Sequence, residues 1–399
     1  MFLYLRIYLC AVWVAFALVA CGDNVSSTPP PTDLVVTPGE TMATLTWTMR
    51  PGVDYVVSYS PNGAALAASS PFVVSGLTNG TVYDFTVNAR AQGDRRGPDA
   101  PHVTATPDLA GSAWVPGGVA GSATLNSVVY GTRYVAGAAD GQIYTSADGV
   151  AWAAAATNPN GLAIHGGVYF QGQYWFVGDA GLVMHSADPL NWGAPITPPT
   201  SNALNAIAHN GSMLVAVGQS GTILTSSNGT SWTTATSNTG HDLLAVTYFA
   251  GTWTAVGVHG TVATSPDAVA WTATSPNLLT LRGIAAFTSG TGPSGSRFAV
   301  VGHDNVGDAL TMYTNDIGAQ PIIWLSSGTP SDPTPQINAV TYGSQFVAVG
   351  ANGAVIYGTD GRDWTAKTST LPVVDLMSVA RGGLQYVAVG AGGASFISK

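Results

Sequence analysis

The chain has 399 residues, 46% of them hydrophobic and only 8% charged, with a formal net charge of −9. Twelve Lys and Arg against 21 Asp and Glu argue against nucleic-acid binding and against a basic membrane-surface patch, both of which rely on cations at phosphates. Only two cysteines occur, Cys10 and Cys21, too few for a disulfide framework or a thiolate metal site.

Residues 1–20 hold one charge, Arg6, followed by an apolar run from Ile7 to Ala20. The run is short for a membrane span, which needs roughly 20 residues, and it suits the apolar core of a signal peptide. It ends in Leu18-Val19-Ala20-Cys21-Gly22. This resembles the lipobox of bacterial lipoproteins. The resemblance implies cleavage before Cys21 and lipidation of its thiol, and Gly22 favours the outer membrane. Residues 21–31, with Ser26-Ser27-Thr28-Pro29-Pro30-Pro31, are expected to form a disordered tether. The expected location is the bacterial cell envelope, with the lipid anchor as the sole membrane contact.

Residues 32–107 carry alternating strand patterns at Ala43–Trp47, Tyr55–Tyr59 and Leu77–Ala89. Trp47, Leu77, Gly80, Thr81, Tyr83, Val87 and Ala89 resemble the core Trp and tyrosine corner of a fibronectin type III domain. That resemblance implies a β-sandwich with the Tyr83 hydroxyl bonded back to the backbone, and it brings no activity. A spacer role is expected.

From residue 111 to 399 a repeat governs the pattern. Trp114, Trp152, Trp192, Trp232, Trp271, Trp324 and Trp364 recur with gaps of 38, 40, 40, 39, 53 and 40 residues. Gly137, Gly178, Gly218, Gly257, Gly302, Gly350 and Gly390 close short apolar runs in step with them. Each unit reads as four strands, such as Leu204–Ile207, Leu214–Gly218, Thr222–Thr225 and a strand bearing Trp232. Four strands per period of about 40 residues predict propeller blades. The last unit lacks a Trp strand, and Gly111–Val115 is an orphan one. Pairing the two ends closes a ring of seven blades. The 53-residue gap predicts an insertion in the fifth full unit, in loops at Thr288–Pro293 and His303–Asp308. The fold class is therefore all-β, a sandwich followed by a seven-bladed propeller.

The hairpin before each Trp is also repeated: Ser146-Ala147-Asp148 to Trp152, Ser186-Ala187-Asp188 to Trp192, Ser226-Ser227-Asn228 to Trp232, Ser265-Pro266-Asp267 to Trp271 and Thr359-Asp360-Gly361 to Trp364. It resembles the Asp-box (BNR-like repeat) of sialidase-like propellers, one residue shorter. An Asp or Asn here ties the turn to its own backbone, so a structural role is expected. Sialidase chemistry is not expected. The propeller has only five arginines, Arg133, Arg282, Arg297, Arg362 and Arg381, and the single glutamate, Glu40, lies outside it. The Phe346-Val347-Ala348-Val349-Gly350 pattern resembles the non-enzymatic branch that includes photosystem II stability-factor-like proteins.

In such propellers the turns between second and third strands share a face with the blade connections. Asp140, Asp179, Gln219, His259, His303, Asp304 and Asn352 fall on those turns, and His241, Asp242 and Arg282 on the connections and first-strand starts. They are the candidate ligand-binding residues, with ordinary polar turn residues as the alternative reading. His259, His303 and Asp304 have no metal-ligand spacing, so no metal and no cofactor is expected. His165 stands where other units have Asn126, Asn205 or Asn338, and reads as a structural histidine. The functional expectation is a monomeric envelope protein that binds a protein or glycan through the propeller face. The alternatives are a carbohydrate-active hydrolase or lyase, working through Asp and His, and an envelope assembly factor or scaffold.

Overall fold

A computed structural model describes residues 28–61, 63, 66–91, 101–155, 161–288, 296–315, 317, 322–327, 335–367 and 371–398. The signal peptide, Cys21 and most of the tether lie outside the described residues, as does the first of the two loops expected in the fifth unit. No helix among the described residues is long and apolar enough to cross a membrane. The chain divides into two compact units, with the boundary between Pro107 and Asp108.

The first unit holds two sheets. One has three strands, in the order Val35–Gly39, Met42–Thr46, Phe72–Ser75. The other has four, in the order Leu66–Ala68, Val53–Ser60, Tyr83–Ala91, Val103–Ala105. Alternate residues from both sheets, including Ala43, Leu45, Val57, Val74, Phe85 and Val87, bury into one core. Strict alternation in sequence makes this possible, because successive side chains of a strand point to opposite faces. The pattern over Leu77–Ala89 is not one strand: the strand starts only at Tyr83. Residues 77–82 form a corner instead, held where the Thr78 N–H donates to the Tyr83 hydroxyl at 3.0 Å.

Among the described residues the second unit is a ring of seven antiparallel sheets. The third blade shows the plan, with strands Leu204–His209, Leu214–Gly218, Ile223–Ser226 and Thr233–Ala235 paired in sequence order. The last blade pairs Leu376–Gly382, Gln385–Gly390 and Ala394–Ser398 with Trp114–Val119 from the start of the unit. Ile397 stands opposite Val115 and Ser398 opposite Trp114, so the two ends of the repeat share one sheet. The second blade has three strands, and its fourth position is a single bridge between Val183 and Ile196. In the fifth blade the turn after His303 spans Asp304–Asp308, five residues, where the fourth blade uses the four of Val258–Thr261.

Packing between blades supplies the core. Each of the seven hydrophobic clusters of this unit draws residues from two adjacent blades. The cluster joining last blade to first holds Val387 and Ile397 with Leu125 and Tyr134. Seven interfaces for seven blades close the circle, so no sheet face at the joins is left to water.

Two sequence expectations shift in register. Trp152, Trp232, Trp271, Trp324 and Trp364 stand just before the fourth strand of their blades, not within it, as with Trp232 before Thr233–Ala235. The Trp completes the turn: Trp232 Nε1 donates to the Gly229 carbonyl at 2.9 Å. The same bond joins Trp152 to Gly149, Trp271 to Ala268 and Trp364 to Gly361. Within the turn, Asp148 Oδ1 accepts the N–H groups of Val150 and Ala151, and Ser146 Oγ accepts that of Gly149. These N–H donors hold the Asp148 carboxyl below its ordinary pKa. Asn228 repeats the geometry without a charge, which shows that the turn needs an acceptor oxygen and not an anion.

The second shift concerns Gly137. Gly178, Gly218, Gly257, Gly302, Gly350 and Gly390 lie where a Cβ would come within about 2.1 Å of a backbone carbonyl at the start of the first strand, such as Ala203 O for Gly218. Only glycine permits that approach. In the first blade the residue paired with the first-strand start is Ala138, opposite Leu125. Gly137 is one position earlier, and its open side is filled by Ile164 of the next blade.

Candidate functional site

The first strands of the seven blades stand side by side around the axis and line one cavity of about 350 Å3. Every first strand carries a β-bulge near its start, at the second residue in six blades and at the third, Arg282, in the fifth. In the third blade Leu204 pairs with Gly218 and Ala206 with Val217, so Asn205 has no partner in the ladder. The same slip frees His165, Leu244, Arg282, Asn338 and Met377, and in the first blade Asn126. A bulge bends the strand and re-aims one side chain. All seven bulge residues line the channel.

The residue after the bulge is small in every blade: Ser127, Gly166, Ala206, Ala245, Gly283, Ala339 and Ser378. Crowding at the axis explains this. A Cβ on Gly166 would lie 2.6 Å from the Asn205 carbonyl of the next blade.

The asparagines at the bulge have a structural task. Nδ2 of Asn126, Asn205 and Asn338 donates to the carbonyls of Ile164, Leu243 and Leu376, each in the following blade, at 2.8–2.9 Å. His165 Nε2 instead meets Asp179 Oδ1 at 2.7 Å. Arg282 does neither. Its Nε is buried with no hydrogen-bond partner, and no ion pair includes it among the described residues. Burial lowers its pKa from the ordinary value. Among the residues lining the channel there is no Asp, Glu or Lys and no Phe, Tyr or Trp.

One mouth of the channel is edged by the turns between second and third strands. The Asp179, Gln219, Val258 and Ala351 N–H groups donate to the carbonyls of Ala163, Ala203, Asp242 and Gln336, which stand at the starts of first strands. The middle residue of each turn is left-handed: Ala180, Ser220, His259 and Asn352 have φ of 52–58°. Side chains rarely adopt that backbone, so it is strained away from glycine.

The candidate residues named from sequence do gather at this mouth, mostly in turn-building roles. Asp140 Oδ1 accepts the Gln142 N–H at 3.0 Å, and Asp304 Oδ1 accepts those of Val306 and Asp308. The Val306 bond in particular holds the Asp304 carboxyl below its ordinary pKa. Gln219 Oε1 accepts the Ala203 N–H at 3.3 Å. Asp242 Oδ1 accepts the Ser220 N–H of the preceding blade at 2.7 Å, a clamp across blades. Asp375, absent from the sequence-based set, does the same for the Asn352 N–H at 2.9 Å. His241 and His259 stack, with ring centroids 4.3 Å apart. His303 Nδ1 contacts the Asp304 carbonyl at 2.8 Å. His259, His303 and Asp304 do not converge: no group of three or more His, Cys, Asp or Glu able to hold one ion occurs among the described residues.

The bulge column is visible in sequence as the residue following a buried Leu or Ile. Its function is not, because a bulge is defined by the register of two strands and not by one. Leu244 and Met377, which give the channel its apolar wall, carry no polar signal.

Residues 167–397, more than half of the chain, match the model of a family described as the DUF6242 beta propeller domain. No curated protein matches the chain. Several solved structures share the fold. YCF48 bound to D1 peptide is 15% identical, with a TM-score of 0.55, over 71% of this chain and 96% of that one. The WD40 beta propeller domain of Doa1 is 13% identical, with a TM-score of 0.54, over 73% and 96%. Virginiamycin B lyase from Staphylococcus aureus is 11% identical, with a TM-score of 0.59, over 72% and 99%. At such identities the likeness is one of fold.

Proposed function

The chain belongs to the DUF6242 β-propeller family, and from that premise we propose that it is an envelope-anchored binding protein that recognises a protein partner through the turn-edged mouth of its channel. The observation that carries this reading is the division of labour at that mouth. The carboxylates there are engaged in turns and clamps, as with Asp242 on Ser220 and Asp304 on Val306. The channel beyond them is lined by amides, hydroxyls, aliphatic groups, the His165 imidazole and Arg282, whose Nε has no partner. Such a surface can recognise a ligand, and it offers no pair of free carboxylates for glycosidic cleavage. The YCF48 propeller, similar in fold, was solved with D1 peptide bound to it, which supports a protein ligand over a glycan. On this reading Cys21 is lipidated at the outer membrane, and the first unit is a fibronectin type III-like spacer. The Asp-box-like turns are structural.

A second reading has one observation in its favour. The His165–Asp179 contact, with both side chains partly exposed, is an arrangement that general acid–base chemistry can use. A hydrolase or lyase would depend on it. The binding reading expects no turnover of sialosides, xyloglucan or other β-glucans by the purified protein. Robust hydrolysis that disappears with His165→Ala, or with one Asp→Asn change at Asp140, Asp179, Asp242 or Asp304, would reverse the choice. A catalytic member costs orders of magnitude in rate when removed.

A further inference from the structure

We infer that Arg282 is the anchor of a carboxylate-binding site inside the channel, and that its ligand is the C-terminal carboxylate of a peptide with an aliphatic last residue. The inference rests on the binding reading above and names the chemistry of that site.

Arg282 is left out of the bonds that its counterparts make. It occupies the bulge position at which three other blades place an asparagine that bonds the next blade. Arg282 makes no such bond, and its Nε has no partner although it is buried. A buried guanidinium N–H without a partner is costly to the fold, although the Arg282 side chain as a whole is only partly buried. The equivalent positions in the fourth and seventh blades, Leu244 and Met377, show that an uncharged side chain fits here. A residue that is structurally replaceable, costly and aimed into a cavity is arranged for a ligand.

Chemistry narrows the ligand. A guanidinium presents its donors in a planar fork that matches a carboxylate. Among the described residues no Lys and no second Arg lines the channel, and His165 is engaged with Asp179, so one permanent positive charge is available, which suits a monoanion better than a phosphate dianion. The absence of any Asp or Glu from the lining leaves that charge uncompensated. Leu244, Ile284 and Met377 supply aliphatic contacts, whereas no aromatic ring is present on which a sugar could stack. These features favour a peptide end over a uronic acid.

The test uses the purified full-length chain and four probes: N-acetyl-Ala-Leu, its C-terminal amide, glucuronate and glucose. Binding is read by ligand-observed saturation-transfer NMR and, where it is tight enough, by calorimetry. The expected result is binding of the dipeptide acid, with at least about tenfold weaker binding of the amide, the scale of losing one charge-assisted contact. Arg282→Gln should lose the same factor, and Arg282→Lys should fall between. Arg282→Met should melt no lower than the parent while losing the acid-over-amide preference. Equal binding of acid and amide, an unchanged affinity in Arg282→Gln, or preference for glucuronate would each overturn the inference. The wild-type acid–amide comparison decides the matter even if a variant fails to fold. If it fails while a protein partner still engages the turn-edged face, the binding reading stands and only the carboxylate assignment falls.

Discussion

Deleting residues 111–119 from the full chain is expected to produce aggregation, or a loss of well over about 10 °C in melting temperature. The strand Trp114–Val119 is the fourth member of the last sheet, and without it Ala394–Ser398 becomes an open edge. Trp114 is 5% exposed and packs into the cluster between sixth and seventh blades. Its Nε1 donates to the Gly111 carbonyl at 2.8 Å, and its own carbonyl accepts from Lys367 Nζ of the sixth blade at 3.0 Å. Truncating a buried Trp costs about 3–5 kcal/mol, roughly 10 °C for a domain of this size. Trp114→Ala alone should therefore reach that range, and the deletion should exceed it by the lost strand pairing. Thermal unfolding followed by circular dichroism, with light scattering for aggregation, checks both. A truncated ring that melts like the intact one would contradict closure by this strand.

Changing Cys21 to Ser is expected to abolish lipid attachment altogether. The proposal follows from Leu18-Val19-Ala20-Cys21 and the apolar run before it. Only a thiol at that position can accept the lipid, so the effect should be complete and not graded. Metabolic labelling with a fatty-acid analogue, followed by membrane fractionation, reads it directly. Label should be present on the parent and absent from the variant, which should also retain its uncleaved leader. Equal label on both proteins would sink the anchoring proposal, while leaving the propeller untouched.

The seven-blade architecture is legible in sequence because its determinants are local and repeated. A Trp three residues after the carbonyl it bonds, and a Gly where a Cβ would strike a backbone oxygen, each recur in six of the seven blades. The complementary ends are legible for the same reason, since Trp114 stands without the strands that precede every other Trp. Register is less legible. Gly137 reads like the strand-closing glycine of the other blades, yet Ala138 takes that pairing, because Gly137 makes room for Ile164 from the neighbouring sheet.

The site divides along the same line. Topology alone is enough to place the turn residues at one mouth. The clamp from Asp242 to Ser220 is beyond its reach, because it joins residues of different blades through a left-handed turn. In sequence Arg282 stands out only as a first-strand residue near the face. Its distinguishing property, a buried Nε without a partner, is an absence that only three-dimensional packing reveals.

On the proposed binding reading, ligand recognition belongs to the channel mouth and not to the opposite face, where the turns between third and fourth strands lie. Site-specific photo-crosslinking in cells tests this most directly. A photoreactive residue at Ser220 or Asn352, both exposed at the mouth, is compared with one at Val150 or Val269, both exposed on the opposite turns. The account predicts a discrete protein adduct from the first pair, lost when Arg282 is changed to Gln, and none from the second. Adducts from Val150 and Val269 alone, or equally from all four positions, would contradict it.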